Sequence, residues 1–210
     1  GIMLANVQTH RSYHFSVRNI AICAMLSAVA SVLMFISFSV PLMPSFIKLD
    51  LSELPALLAA FTLGPVEGIV VCLVKNLVNL FFTTTAGVGE LCNFLMGAVF
   101  TGVAGLIYQR RKTRRSAVVA SLVGAAAMAV ASVPLNFFFS YPVYAAAFGG
   151  MDAIIAAYQE LNPGMNSLLG CLIAFNLPFT LVKGLVDAAL CFLIYKPLSP
   201  VLHGRVGKPA

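Results

Sequence analysis

An apolar run from Glu90 to Gln109 ends in Arg110-Arg111-Lys112-Thr113-Arg114-Arg115, and a second apolar run, Ala117 to Phe139, starts directly after it. Each run is close to the roughly 20 residues that a helix needs to cross a bilayer. A block of like charge between two such runs marks a loop held on the cytoplasmic side. The pair therefore reads as a transmembrane hairpin. Composition extends this to the whole chain, with 60% hydrophobic and 10% charged residues and a mean hydropathy of +0.95. Soluble domains carry about 25% charged residues. The chain is expected to be an integral membrane protein.

The net charge of +6 would fit a nucleic-acid partner, but 5 of the 13 basic residues lie in that one cluster. No basic helix or aromatic-interleaved patch accompanies it, so nucleic-acid binding is excluded. Cys23, Cys72, Cys92, Cys171 and Cys191 are scattered through apolar runs with no CxxC spacing. They indicate neither a zinc site nor a disulfide framework and read as small buried hydrophobes.

Taken in order, residues 1–16 form a polar cytoplasmic segment, and Val17 to Val40 is the first span. That run is too long for the core of a cleavable signal peptide. Pro41 to Asp50 is an external loop. Leu51 to Leu63 is a short second helix with Ser52 as N-cap and Pro55 in its first turn, ended by Gly64-Pro65. Pro65 to Phe82, Glu90 to Gln109, Ala117 to Phe139 and Leu168 to Tyr195 complete six spans, the last bent at Pro178. A short surface helix, Met151 to Leu161, lies in the longest connection. The small residues Ala117, Ser121, Ala125 and Ala129 recur every four positions, which lets helix backbones approach closely.

With six spans and both termini inside, ten basic residues fall on the cytoplasmic side and only Lys48 outside, while Lys75 and Lys183 are embedded. Asp50, Glu53, Glu90, Asp152 and Glu160 lie at or near the outer side. The expected fold is all-α: a six-helix transmembrane bundle over residues 17–198 with a cytoplasmic tail over 199–210.

Buried polar groups carry the functional signal, because an ionisable residue at membrane depth costs about 2.5–3.5 kcal/mol and needs a partner or a cavity. Lys75, Asn76 and Asn79 share one side of the third helix, either as interhelical hydrogen-bonding residues or as pocket groups. Lys183 and Asp187, four apart, can neutralise each other or leave Lys183 to a ligand. Asn136 precedes the aromatic run Phe137-Phe138-Phe139-Ser140-Tyr141. Together these groups suggest a pocket for a small, flat, partly polar ligand. No metal or phosphate-loop motif appears, and the histidines are all terminal, which removes the usual bases of an intramembrane enzyme.

Several blocks in fixed order resemble the substrate-binding S components of energy-coupling-factor (ECF) vitamin transporters, most closely the riboflavin-specific ones. They are FIKLDLSELPALLAAFTLGPVEG, KNLVNLFFTTTAGVGELCNFLMG, PLNFFFSYPVY, NPGMNSL, PFTLVKG and YKPLSPVLH. The resemblance implies a membrane subunit of the bacterial cytoplasmic membrane that captures riboflavin at the outer face. It would work with a transmembrane coupling protein and two cytoplasmic ATPases, without a cofactor of its own. It also implies that Asn136 and Lys183 hydrogen-bond the ring system, with Thr180, Tyr141, Asn79 and Phe46 around them. Thr180 stands where such binders often carry asparagine. Ala24 and Ala28 match the A-x-x-x-A pattern that contacts the coupling protein. The stretch Phe46–Gly97 is then the frame and lid of the pocket. Another vitamin or flavin-like ligand is the alternative within the family. An ion-coupled carrier or channel using Lys75, Lys183, Asp187 and Glu90 is the alternative outside it.

Overall fold

The computed structural model describes residues 17–44, 48–84, 86–147 and 149–202, and the side chains among them apart from 48 and 196–202. Phe46, one of the expected ligand contacts, lies outside the described residues. The chain forms helices α1 (Val17–Phe35), α2 (Glu53–Thr62), α3 (Pro65–Leu80), α4 (Val88–Arg110), α5 (Arg114–Leu135), α6 (Tyr141–Ala147), α7 (Met151–Gln159), α8 (Leu168–Cys171) and α9 (Leu177–Leu202). Phe38–Ser39 (β1) pairs antiparallel with Lys48–Leu49 (β2).

Among the described residues, four helical segments are long and apolar enough to cross a membrane: Val17–Phe35, Val88–Arg110, Arg114–Ala147 and Leu168–Tyr195. Helices α2 and α3, at 10 and 16 residues, reach about 15 and 24 Å at 1.5 Å per residue. Both are shorter than a hydrocarbon core of about 30 Å. The first helix stops at Phe35 rather than Val40, because the chain turns into β1 there. The fifth extends beyond Phe139 through α6 to Ala147. The expected surface helix is α7, and it is not purely superficial: Ile154 and Tyr158 are buried against Tyr141, Leu168 and Leu172.

Apolar residues cover the outside of the bundle, including Val32, Leu77, Leu122, Val130 and Leu193, as expected where the surrounding medium is lipid. Inside, close approach depends on small side chains. Ala117, Ser121, Ala125 and Ala129 are all buried. A Cβ on Gly124 would lie 2.9 Å from the Phe100 carbonyl oxygen, so α4 and α5 meet backbone to backbone there. Gly64 separates α2 from α3 at φ +143°, a conformation that side-chain-bearing residues rarely adopt. Pro65 then takes the first helical position, where its missing N–H costs nothing. All five cysteines are buried free thiols.

Among the described residues, two π-helical turns interrupt the long helices, at Asn136–Ser140 and Leu172–Asn176. Their closing bonds run from the Tyr141 N–H to the Asn136 carbonyl and from the Leu177 N–H to the Leu172 carbonyl. In both, a proline follows two residues after the turn, Pro142 and Pro178. Each proline lacks the N–H that would bond the carbonyl four residues back, Phe138 or Ala174. The wider turn falls where that α-helical bond is missing. The irregularity expected at Pro178 is therefore this π turn.

Candidate functional site

The π turns place two amides on one cavity. Asn136 opens the first turn and Asn176 closes the second, and both line a cavity with Glu53, Asn93, Tyr141, Thr180 and Lys183. Met96, Met128 and Phe179 supply apolar wall, and Tyr144 completes it. The unfilled space, open mouth included, is about 690 Å³. The cavity occupies the end of the bundle away from the basic α4–α5 connection.

Four of the residues singled out from sequence thus converge: Asn136, Tyr141, Thr180 and Lys183. They come from the α5–α6 segment and from α9. The Asn136 amide and the Thr180 hydroxyl make no side-chain hydrogen bond to the described residues, while both residues are only 9% exposed. The side-chain carbonyl oxygen of Asn93 is buried without a hydrogen-bond partner among the described residues. A buried polar atom left so costs about 1–3 kcal/mol, and a ligand with matching groups removes that cost.

Lys183 does not pair with Asp187. Its ammonium lies 3.1 Å from Glu53, whose other carboxylate oxygen is 3.1 Å from Lys75. Glu53, expected at or near the outer side, has a side chain that is only 1% exposed. The reason is geometric: α2 is short and begins inside the bundle, so its first residue faces α3 and α9 rather than water. Asp50 and Glu90, also expected at or near the outer side, are buried as well.

Behind Glu53 the polar chain continues. The Lys75 ammonium donates to the Ser52 hydroxyl at 2.6 Å, and that hydroxyl donates to the Asp50 carboxylate. The Ser52 N–H also donates to Asp50, at 2.9 Å. Ser52 occupies the N-cap position of α2 but makes no side-chain cap bond, because its hydroxyl is used in this chain. The row Asp50–Ser52–Lys75–Glu53–Lys183 links the cavity wall to the residue after β2.

A second network holds Tyr141 and Asn176 of the lining. The Tyr141 and Tyr158 hydroxyls are 2.6 Å apart, Tyr158 donates to the Asn176 carbonyl at 2.6 Å, and the Asn176 amide donates to Tyr141 at 2.6 Å. This closed triangle ties α6, α7 and the second π turn together. Burial pushes the Tyr158 hydroxyl well above its ordinary pKa, so it stays a neutral donor.

The remaining sequence candidates have other places. Asn79 is not in the cavity; its amide donates to Glu90 at 3.0 Å. Asn76 bonds the Cys72 carbonyl of its own helix at 2.8 Å rather than a neighbouring helix. Asp187 is fully buried and its carboxylate oxygens have no hydrogen-bond partner among the described residues. Ala24 and Ala28 line an open groove between α1 and α3 with Val70, Val74 and Val78. Ser27 and Ser31 flank it, with their hydroxyls bonded to backbone carbonyls of α1.

Glu53, Asn93 and Asn176 were not expected to line the cavity. The sequence signal for Asn176 is an amide within an apolar run, next to the Leu177-Pro178 step. Glu53 and Asn93 make the stretch Phe46–Gly97 part of the polar wall, and not only a frame and lid. Among the described residues no three His, Cys, Asp or Glu side chains form a group suited to a metal ion.

Comparison with known proteins gives this geometry a context. The profile of the family described as "ECF transporter, substrate-specific component" matches residues 18–198. A riboflavin transporter, RibU, of Staphylococcus aureus is 36% identical over 179 residues, covering 85% of this chain and 89% of that protein. A riboflavin transporter, FmnP, of Bacillus subtilis is 29% identical over 189 residues, covering 88% and 93%. Among solved structures, the S component of a bacterial ECF transporter superposes with a TM-score of 0.70 at 34% identity, covering 88% of this chain and 97% of the other.

Proposed function

The chain belongs to the family of ECF transporter substrate-specific components, and from that premise we propose that it binds riboflavin for uptake, with Asn136, Thr180 and Lys183 on the polar edge of the ring. The carrying observation is the convergence of these three side chains, from two segments interrupted by π turns, on one cavity. A flavin ring has a dione edge that accepts hydrogen bonds at its carbonyls and donates one at its imide N–H. An amide both donates and accepts, and an ammonium only donates. Asn136 suits the imide edge, and Lys183 suits a carbonyl. Met96, Met128 and Phe179 suit the dimethylbenzene end, with thioethers against the aromatic face.

Glu53 has a supporting part in this reading. It holds the Lys183 ammonium at 3.1 Å and thereby fixes the donor before the ligand arrives, which lowers the ordering cost of binding. Helices α2 and α3 cross the bilayer beside the four longer segments, giving six spans with the basic α4–α5 connection inside and the cavity at the outer face. The protein sits in the bacterial cytoplasmic membrane. Ala24 and Ala28 offer their groove to a transmembrane coupling protein, and two cytoplasmic ATPases supply the energy.

The test is direct. Protein purified in detergent without added ligand should show flavin absorbance, or should quench riboflavin fluorescence at one molecule per chain. A chain that neither copurifies with flavin nor quenches it refutes the reading.

A further inference from the structure

A second cavity opens at the other end of the bundle, between the ends of α2, α4 and α9 and the start of α5. Along α4, Tyr108 in this cavity is 15 residues beyond Asn93 in the first, or about 22 Å at 1.5 Å per residue. The two are separate sites. About 1170 Å³ of unfilled space is bounded here, open mouth included.

Its lining has two chemistries. One part is aromatic: Phe61 stacks on Phe192 with ring centroids 6.3 Å apart and 12° between the planes, and it meets Tyr108 edge-on at 5.0 Å. Phe192 and Val118 are 39% and 43% exposed, so this wall is open at the side of the bundle. The other part is cationic: the exposed Lys112 and Arg114 line it, and no acidic side chain among the described residues does. The Thr113 hydroxyl between them accepts the Ser116 N–H at 3.1 Å and caps α5, so the cations supply the polar end. Neither pocket chemistry nor position is used by the ligand site described above.

We propose that this cavity seats one anionic phospholipid, with its phosphate between Lys112 and Arg114 and an acyl chain along Phe61, Phe192 and Val118. A soluble phosphate compound would engage the cations and leave the aromatic wall uncovered. A zwitterionic lipid would cover the wall but carries no net charge for the two cations. An anionic lipid matches both halves, and basic pockets between transmembrane helices are suited to such head groups. A lipid held there anchors the α4–α5 connection to one leaflet.

Native mass spectrometry of the detergent-purified chain tests this, with phosphatidylglycerol and phosphatidylcholine of identical acyl chains as probes and glycerol 3-phosphate as a third arm. One phosphatidylglycerol per chain is expected to persist, with at least tenfold preference over phosphatidylcholine and no competition from glycerol 3-phosphate. The double variant Lys112→Gln/Arg114→Gln should lose at least tenfold in retention. Val118→Trp, which fills the apolar wall, should lose it as well. Arg110→Gln/Arg111→Gln removes the same charge outside the cavity and should retain the lipid. Helical circular dichroism and a single elution peak verify that each variant is folded. Equal retention of the two lipids, equal loss in both double variants, displacement by glycerol 3-phosphate, or no retained lipid would each overturn the proposal.

Discussion

Lys183 is where chemistry and packing meet most directly. Replacing it with alanine removes the proposed ligand donor and leaves Glu53 with Lys75 as its one remaining ion-pair partner among the described residues. One lost buried polar contact is worth about 1–3 kcal/mol, so riboflavin affinity should fall roughly five- to 150-fold. Fluorescence titration of the folded variant measures this, and unchanged affinity would take Lys183 out of the site. Tyr158 makes a different point, since it does not line the cavity itself but bonds Tyr141 and Asn176, which do. Tyr158→Phe opens the hydrogen-bonded triangle and leaves the Asn176 carbonyl without its donor. A stability loss of about 1–3 kcal/mol is expected, seen as a lower melting temperature in detergent. An unaltered melting temperature would show that the triangle contributes nothing. At this scale the sequence was legible where a polar residue was out of place: Asn136 and Lys183 interrupt apolar runs. Glu53 was hidden because a carboxylate at the start of a helix ordinarily faces water, and only the tertiary placement of α2 puts it inside.

The π turns are the element-scale device that forms the site. A π turn adds one residue to a helix, so everything beyond it is rotated by about 100° relative to a continuous α-helix. That rotation brings Tyr141 round to Tyr158 and Asn176 while Asn136 keeps its place at the end of α5. Deleting the largely exposed Phe138 should restore an α-helical count, turn Tyr141 away from its partners and abolish measurable riboflavin binding. Far-ultraviolet circular dichroism should stay helical. Wild-type affinity in this deletion would show that the extra residue is not what aligns the wall. Helix positions were readable from apolar runs and from stops such as Gly64-Pro65, because length and glycine-proline punctuation are local properties. The π turns were not, although Tyr141-Pro142 and Leu177-Pro178 mark both. A proline announces a missing bond, and only packing decides whether the helix kinks, ends or widens there. Likewise Ser52 reads as an N-cap, yet Lys75, 23 positions along the chain, has taken its hydroxyl.

Across the whole molecule, three surfaces stand apart from one another. The polar cavity lies at one end of the bundle, a basic and aromatic cavity at the other, and an apolar groove between α1 and α3 along the side. The groove is lined by exposed Ala24 and Ala28, whose small side chains leave room for a helix of another chain to approach its backbone. Because these residues face outward and share no side chain with the ligand cavity, binding and coupling should be separable by mutation. Ala28→Trp fills the groove without entering the core. Riboflavin affinity in detergent should remain within about twofold of the parent, since distant sites with no shared partners behave independently. Uptake into vesicles reconstituted with the coupling protein and ATPases should be lost, since the indole occupies the approach path. If affinity and uptake fell together, the groove would be part of the fold's stability rather than a docking face. If neither changed, the coupling protein would have to dock elsewhere.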